Sequence, residues 1–378
     1  MKKLILLLLF IPLFFSCTKD PVIYTLTTTA NPADGGTVSP SSKEYNEGET
    51  ATINATPAAE YVFDKWTGAT GTEETTIVMD SDKTVVANFI KKKWEVVMDK
   101  SPFNGYLSLP NGICATNDDN AVYITGLFNT NNTRGVLEKK NGLFNYIYGG
   151  NPSTTINPQN ITISSNGTFY IADPGNGTGS KLYKKQTSES NWSIINIPKE
   201  DGLNDVHVTG DNTIYITYIS GFVYKKSPND SEWTALCLNN DICNAPTSIF
   251  VSSDNTLYVA NLGGGNTGEG YVMKKSPNDS NWSVIYNHNY NSGGSIGPIA
   301  VSVDSNNTVY IANQGAKMSI IKKSTEDSEW LIVIENELSL GSLELKIQSV
   351  SDIHLTSNKL YAVIGFNNGD KRVLKTSK

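Results

Sequence analysis

Apolar and polar residues alternate in short runs along most of this chain. Stretches such as NITISSNGTFYIAD and SIFVSSDNTLYVAN each contain two such runs joined by a turn rich in Ser, Asn and Asp. Alternation with a period of two over four to six residues predicts half-buried β-strands. No long segment shows the apolar period of a helix. The pattern therefore predicts an all-β protein.

One tyrosine marks the second run of each repeat. The six tyrosines are separated by 47, 45, 43, 52 and 51 residues, and they are Tyr123, Tyr170, Tyr215, Tyr258, Tyr310 and Tyr361. Each repeat holds four alternating runs. Four short strands every 40–50 residues are typical of a β-propeller blade. The count predicts six blades.

The phrase KKSPNDSNW at Lys274–Trp282 returns as a close copy at Lys225–Trp233 and as looser copies at Lys184–Trp192 and Lys322–Trp330. Its Ser-Pro-Asn-Asp core is a tight turn, because Pro presets φ and the Asp side chain caps the turn. We interpret the phrase as the corner between the third strand and the outer strand, with its Trp covering the next blade. It is then a structural element rather than a binding motif.

The two ends of the repeat region complement each other. The chain finishes with KRVLKTSK, which matches a third strand and has no Trp strand after it, whereas KKKWEVVMD begins the region with Trp94. We therefore predict that the Trp94 strand pairs with the strand around Val373–Leu374 and closes the last blade. A closed ring leaves no open sheet edge.

The repeats resemble NHL-type six-bladed propellers, through segments such as PQNITISSNGTFYIAD and GPIAVSVDSNNTVYIAN. The resemblance covers Trp94–Lys378, and we assign residues 91–378 to this domain.

Residues 23–90 form a separate alternating segment. Its stretches GGTVSP, YVFDKWTG and MDSDKTVVANF resemble the internalin-type B repeat, also called the bacterial repeat. The resemblance implies a small β-grasp-like module that serves as a spacer or adhesion repeat on bacterial surface proteins. We expect Phe63 and Trp66 to belong to its core.

The first residues, MKKLILLLLFIPLFFSC, have the order of a cleaved export signal: a basic start, an apolar run and a small residue before Cys. They resemble a bacterial lipoprotein signal, with residues 1–16 removed, Cys17 lipidated and residues 17–22 as a tether. An ordinary secretory signal is the alternative. We expect a lipid-anchored protein of the cell envelope at the outer membrane, facing either the periplasm or the exterior.

The net charge bears on the possible partners, and the cysteines bear on disulfide formation. The net charge of −7 disfavours nucleic acid, whose binding proteins carry basic faces. We expect a monomer. Cys237 and Cys243 bracket a short loop and could form a disulfide in an oxidising compartment, or could remain buried thiols.

Candidate site residues lie where the inner strands begin and the second strands end, on the face that carries the channel mouth. Oxygen ligands suited to Ca²⁺ are offered by Asn160, Asp205 and Asp352. Asp173, Asn261 and Asn313 end second strands on the same face and are candidates for ligand binding. His207 and His354 occupy equivalent inner-strand positions and could transfer protons. The alternative for all eight is turn capping or packing.

We expect the propeller to bind a glycan or a protein, with specificity set by its variable loops, including Asn287–Gly297 and Glu335–Val350. The alternative is a lactonase or lyase that uses a divalent cation at the channel mouth. A sialidase is disfavoured, because that chemistry clamps a carboxylate with three arginines and the chain has only Arg134 and Arg372.

Overall fold

The computed structural model describes residues 20–58, 61–91, 94–98, 109–128, 133–149, 156–175, 177–238, 242–263, 270–288, 297–315, 318–340 and 343–377. The chain divides into two compact units, with the boundary between residues 91 and 92. All regular elements of the described residues are β-strands. None of the described residues belongs to a helix that could cross a membrane. The predicted signal segment and the predicted lipidation site, Cys17, lie outside the described residues.

The described residues of the first unit form seven strands in two sheets. One sheet has the order β3-β1-β7-β5 with β1 and β7 parallel, and the other has the order β2-β4-β6. The strands are β1 (Ile23–Asn31), β2 (Gly36–Ser39), β3 (Ser42–Asn46), β4 (Thr50–Pro57), β5 (Tyr61–Thr67), β6 (Glu74–Val78) and β7 (Lys83–Lys91). Leu26, Ile53 and Phe89 meet in a core between the two sheets. Trp66 is buried there as expected, and its indole N–H donates to the carbonyl of Thr72 at 2.8 Å.

The described strands of the second unit form four antiparallel four-stranded sheets and one nine-stranded sheet, in which the short strand β29 (Glu337–Leu340) connects two further groups of four. We number these six groups of four strands blades 1 to 6. Blades 1 to 3 are β9 (Leu109–Ala115), β10 (Ala121–Leu127), β11 (Arg134–Lys140), β12 (Leu143–Gly149); β13 (Asn160–Ile163), β14 (Thr168–Asp173), β15 (Lys181–Gln186), β16 (Ser193–Ile195); β17 (Leu203–Val208), β18 (Ile214–Tyr218), β19 (Phe222–Lys226), β20 (Thr234–Cys237). Blades 4 and 5 are β21 (Pro246–Val251), β22 (Leu257–Asn261), β23 (Gly270–Lys275), β24 (Ser283–His288); β25 (Pro298–Val303), β26 (Val309–Asn313), β27 (Ser319–Lys323), β28 (Leu331–Glu335).

Blade 6 draws its strands from both ends of the unit. It contains β30 (Leu343–Leu355), β31 (Lys359–Phe366), β32 (Lys371–Ser377) and the early strand β8 (Glu95–Met98). Val96 of β8 pairs with Leu374, and Met98 pairs with Val373. The predicted closing strand is therefore confirmed. Within the described residues, six apolar clusters fill the six gaps between neighbouring blades, including the gap between blades 6 and 1.

The repeated phrase forms the same corner in blades 3, 4 and 5. The second Lys of each copy donates to a Ser carbonyl in the turn, with Lys226 to Ser231 at 2.7 Å as one example. The Asp of the turn accepts the N–H of the Ser that follows the lysines, as Asp230 does from Ser227 at 3.0 Å. The Trp covers the preceding blade and not the next one, contrary to our expectation. The indole of Trp233 donates to the carbonyl of Asn196, which follows the outer strand of the preceding blade, at 2.8 Å.

Two loop predictions have different outcomes. The segment Glu335–Val350 is not a loop, because β29 (Glu337–Leu340) and the first half of β30 form a hairpin between blades 5 and 6. Its sequence ELSLGSLELKIQ alternates as strands do. Most of Asn287–Gly297 lies outside the described residues. Cys237 and Cys243 are joined by a disulfide bond.

Candidate functional site

A polar cavity of about 230 Å³ opens where the inner strands of all six blades begin. Each blade contributes the same position of its inner strand. We call these residues the mouth ring, and they are Asn111, Gln159, Asn204, Thr247, Ile299 and Ser351. Asn160, Ser248, Gln314 and Asp352 complete the lining. Asp352 is the one ionisable side chain among these lining residues, so the cavity is polar but carries little charge.

A β-bulge sets the direction of most ring side chains. In blades 3 to 6 the pairing register between the first two strands skips one residue, and the skipped residues are Asn204, Thr247, Ile299 and Ser351. Blade 1 has an irregularity at the corresponding place, next to Asn111. A bulge adds one unpaired residue and redirects its side chain. In each of these blades it therefore presents one side chain at the mouth while the rest of the strand keeps its packing.

Of the three residues predicted to lie at the mouth, Asn160 and Asp352 line the cavity and Asp205 does not. Asn204 lies there in place of Asp205, because a strict alternation ignores the extra residue of a bulge. A sequence signal was available. Proline precedes the ring residue in four blades, at Pro110, Pro158, Pro246 and Pro298. Proline within a sheet is typical of a strand start or a bulge.

Three side-chain amides on one arc of the mouth have no hydrogen-bond partner in the part of the chain that the structure describes. They belong to Asn111, Gln159 and Asn160, and all three side chains are half-buried. Two other side-chain amides at the mouth are already hydrogen-bonded to backbone carbonyls. Asn204 donates to the carbonyl of Thr247 at 2.8 Å, and Gln314 donates to that of Val350 at 2.9 Å. The arc on blades 1 and 2 therefore holds donors and acceptors that a ligand can use.

Blades 1 and 2 approach each other very closely beneath this arc. The hydroxyl of Thr125 donates to the carbonyl of Gln159 at 2.7 Å and accepts from the N–H of Gly112 at 2.8 Å. A Cβ atom on Gly112 would collide with the same carbonyl of Gln159. The backbone that carries the free amides is therefore held rigidly.

Asp205 does not face the cavity, contrary to our expectation. Its carboxylate accepts the N–H of Val206 at 2.7 Å and that of Ile249 in blade 4 at 2.8 Å. The side chain is only 4% exposed, and burial raises its pKa to about 7. Asp205 thus joins blade 3 to blade 4.

Asp352 makes the same connection between blades 6 and 1, three blades away. Its carboxylate accepts the N–H of Ile353 at 2.8 Å and that of Ile113 at 2.9 Å. Burial raises its pKa well above the usual range, and the negative charge of Asp205 adds to this effect. Unlike Asp205, Asp352 also touches the cavity.

The two histidines extend these connections two residues further along each strand. His354 donates through Nε2 to the carbonyl of Ala115 in blade 1 at 3.1 Å. His207 hydrogen-bonds the backbone of Val251 in blade 4, and its ring centre lies 4.7 Å from that of Phe250. Burial and the nearby His354 lower the pKa of His207 to about 4. Two Asp-x-His segments, one in blade 3 and one in blade 6, are therefore hydrogen-bonded to the next blade. This arrangement favours packing over proton transfer for both histidines.

The candidates at the ends of the second strands form hydrogen bonds with neighbouring parts of the propeller. Asp173 accepts the backbone N–H groups of Asn157 at 2.9 Å and Gly175 at 2.7 Å, and burial raises its pKa. Asn261 accepts the N–H of Asn244 at 3.2 Å. Asn313 donates to the hydroxyl of Tyr286 at 3.1 Å. The contacts of Asp173 and Asn261 match the turn-capping alternative, and the contact of Asn313 with Tyr286 in blade 4 matches packing. None of the three residues lines the mouth cavity.

The predicted calcium ligands are not gathered into a carboxylate cluster. Among the described residues, no three His, Cys, Asp or Glu side chains come together as a metal site. Asn160 and Asp352 share the cavity, whereas Asp205 lies outside its lining. The carboxylate oxygens of both aspartates already accept backbone N–H groups.

A second cavity of about 440 Å³ lies on the opposite face, between the corner turns of blades 4 and 5. Its lining includes Trp330, Asp254 and Asp327. Asp254 accepts from Ser252 at 2.6 Å, and Asp327 accepts from Ser324 at 2.8 Å, so both carboxylates are engaged in their own turns. We therefore regard the mouth as the stronger site.

Comparison with known proteins finds a family match in the first part of the chain and shows the fold of the second unit. Residues 26–93 match the divergent InlB B-repeat domain. No curated protein matches the chain. A gluconolactonase from Xanthomonas campestris is similar in structure, with a TM-score of 0.53 and 12% identity over 76% of this chain and 89% of that one. A putative glucose dehydrogenase from Thermus thermophilus has a TM-score of 0.50 and 11% identity over 75% of this chain and 99% of that one. At this identity the likeness shows the propeller fold alone.

Proposed function

We propose that this chain is a binding protein of the cell envelope and that its propeller holds a glycan at the mouth ring. The observation that carries the proposal is the set of unpaired amides of Asn111, Gln159 and Asn160 on a rigid arc. A carboxamide both donates and accepts hydrogen bonds, as the hydroxyl groups of a sugar do. Their fixed backbone lowers the cost of ordering the site on binding.

The size of the cavity fits part of a larger ligand. About 230 Å³ is less than the roughly 300–1,000 Å³ of a typical small-molecule pocket. We therefore propose that the mouth receives one sugar residue of a longer glycan. A protein ligand is the competing partner, and a screen against proteins as well as glycans separates the two.

The alternative is a lactonase or lyase that uses a divalent cation at the mouth. A calcium ion needs roughly six to eight oxygen ligands. Asp205 lies outside the cavity lining, so a cation at the mouth would have Asp352 as its one carboxylate ligand among the lining residues. The geometry therefore favours binding over metal-dependent catalysis. A calcium titration by calorimetry tests this alternative directly.

The glycan proposal is tested with a glycan array probed with the full chain, followed by calorimetry on the best ligand. Replacing Asn111 and Gln159 by Ala should weaken binding by about 10- to 100-fold, because two to four hydrogen bonds of about 0.5–1.5 kcal/mol each are lost. Asn191→Ala with Gln186→Ala is the matched control, since both side chains are exposed at the corner of blade 2. Equal affinity of the two double variants would contradict the proposal.

The location is the second part of the proposal. We propose that Cys17 carries the lipid anchor, that the B-repeat unit acts as a spacer, and that the protein resides at the outer membrane. An anchor with more than one acyl chain gives stable membrane binding. The full chain should sediment with membranes, and Cys17→Ala should move it to the soluble fraction. Unchanged sedimentation of the variant would refute the anchor.

A further inference from the structure

A lysine stands next to the mouth without an acidic partner among the described residues. Lys371 begins β32, and its ammonium donates to the hydroxyl of Ser351 at 3.2 Å. Ser351 is the mouth-ring residue of blade 6. Lys371 itself is not among the residues that line the cavity, so its positive charge lies directly behind the Ser351 hydroxyl.

The charge of Lys371 is not neutralised by the described residues. Its hydrogen bond is to a neutral hydroxyl, and the neighbouring Asp370 lies 3.5 Å from Arg372, with which it forms an ion pair. The carboxylate of Asp352 is held by the N–H groups of Ile113 and Ile353. The Lys371 side chain is half-buried, and desolvation lowers its pKa. Lysine is seldom buried without a partner, because removing an ammonium from water is costly.

The position of Lys371 complements the free amides. Blades 6, 1 and 2 are consecutive around the closed ring, since β8 and β9 connect blade 6 to blade 1. Lys371 and Ser351 therefore lie at one end of an arc that continues through Asn111 to Gln159. The cation is at one end of this arc and the neutral amides are at the other.

We propose that the glycan bound at the mouth is acidic, and that a uronic acid residue places its carboxylate against Lys371 and Ser351. This inference rests on the proposed function. The ammonium pairs with the carboxylate, and Ser351, which accepts from Lys371, donates its own hydroxyl hydrogen to the second carboxylate oxygen. The sugar hydroxyls then meet the amides of Asn111, Gln159 and Asn160. A neutral sugar would leave the ammonium as it is now, without a counter-charge.

The test uses calorimetry of the full chain with short oligomers of galacturonate, glucuronate and mannuronate, each compared with its methyl ester. Esterification removes the charge and leaves the sugar ring unchanged. We expect at least one acidic oligomer to bind about ten-fold or more tightly than its ester, as a charge-assisted hydrogen bond predicts. In Lys371→Met this preference should disappear, whereas Lys371→Arg should keep part of it.

A second lysine of the same strand provides the control. Lys375 lies 3.5 Å from Glu95, away from the mouth, and Lys375→Met should keep the preference for the acid. Melting curves of both Met variants verify that they are folded. Equal binding of acid and ester, or a preference that survives Lys371→Met, would overturn the inference and leave glycan binding intact. Binding of neutral glycans alone, or of peptides with a free carboxyl end in place of uronates, would also overturn it. Absence of binding to any glycan would instead overturn the proposed function, and the inference with it.

Discussion

Replacing Asp205 by Asn should remove a specific pH dependence of stability. In the folded chain the carboxyl is buried between blades 3 and 4 with a pKa of about 7, against 3.8 for an ordinary Asp. Below pH 3.8 the group is protonated in both states. As the pH rises from 3.8 to 7, the unfolded chain loses this proton and the folded chain keeps it, so the free energy of unfolding falls. The pKa difference corresponds to about 4 kcal/mol.

The assay is urea denaturation of the wild type and the variant between about pH 4 and 8.5, a range that brackets the titration. Asn is neutral throughout, so the stability of the variant relative to the wild type should rise with pH by a few kcal/mol and level off above about pH 7. The amide also turns one N–H toward a backbone N–H, which costs about 1–3 kcal/mol at every pH. Titration of His207 occurs in both proteins and cancels in the difference. Asp352, whose pKa is raised in part by Asp205, adds a change of the same sign.

Asp211→Asn is the control with the opposite sign. Hydrogen bonds from Thr209 and Thr213 lower the pKa of Asp211 on an exposed turn, so its contribution is present at neutral pH and is lost in acid. The stability of this variant relative to the wild type should fall as the pH rises toward 3.8 and should then stay constant between about pH 4 and 8.5, the range in which that of Asp205→Asn changes. If the relative stability of Asp205→Asn does not change with pH, the carboxylate is not held in a buried contact between blades, and the reasoning fails.

Two further predictions concern closure and close packing. Deleting Glu95–Met98 should unfold the propeller, because it opens blade 6, while calorimetry should still detect the melting of the separate core around Trp66. A propeller that still melts cooperatively at the wild-type temperature would contradict the closure. Gly112→Ala should lower the free energy of unfolding by about 1–3 kcal/mol, because its methyl group meets the carbonyl of Gln159. Gly210→Ala is the control, since open space surrounds that position, and an equal effect in both variants would argue against the close approach.

Much of the fold follows from local pattern. The tyrosine period and the repeated phrase reflect side chains that build the same blade and the same corner each time, and such signals are short and local in the sequence. The closing strand was predictable from the Trp that is missing after β32 and present at Trp94. The hairpin within Glu335–Val350 also follows from local pattern, because apolar and polar residues alternate along its two strands.

The site was harder to predict from the sequence, because it depends on β-bulges in most blades and on contacts between residues that are distant in sequence. The bulge shifts the side chain at the mouth from Asp205 to Asn204, and only the preceding prolines of other blades hint at it. The carboxylate of Asp205 accepts the N–H of Ile249, which is 44 residues away in sequence and belongs to another blade. A period read along one strand carries no information about such contacts. Lys371 was missed for the same reason, since its contact with Ser351 joins different strands of blade 6.

The most direct test of the central claim is the NMR signal of the side-chain amides at the mouth. During a titration with an oligosaccharide that binds the chain, the NH₂ resonances of Asn111, Gln159 and Asn160 should shift together. The shifts should reach saturation with the same Kd that calorimetry measures. The NH₂ resonances of Asn191 and Gln186 at the blade 2 corner should stay in place. Shifts confined to the corner, or mouth signals that do not change while the ligand binds, would show that the propeller binds its ligand elsewhere.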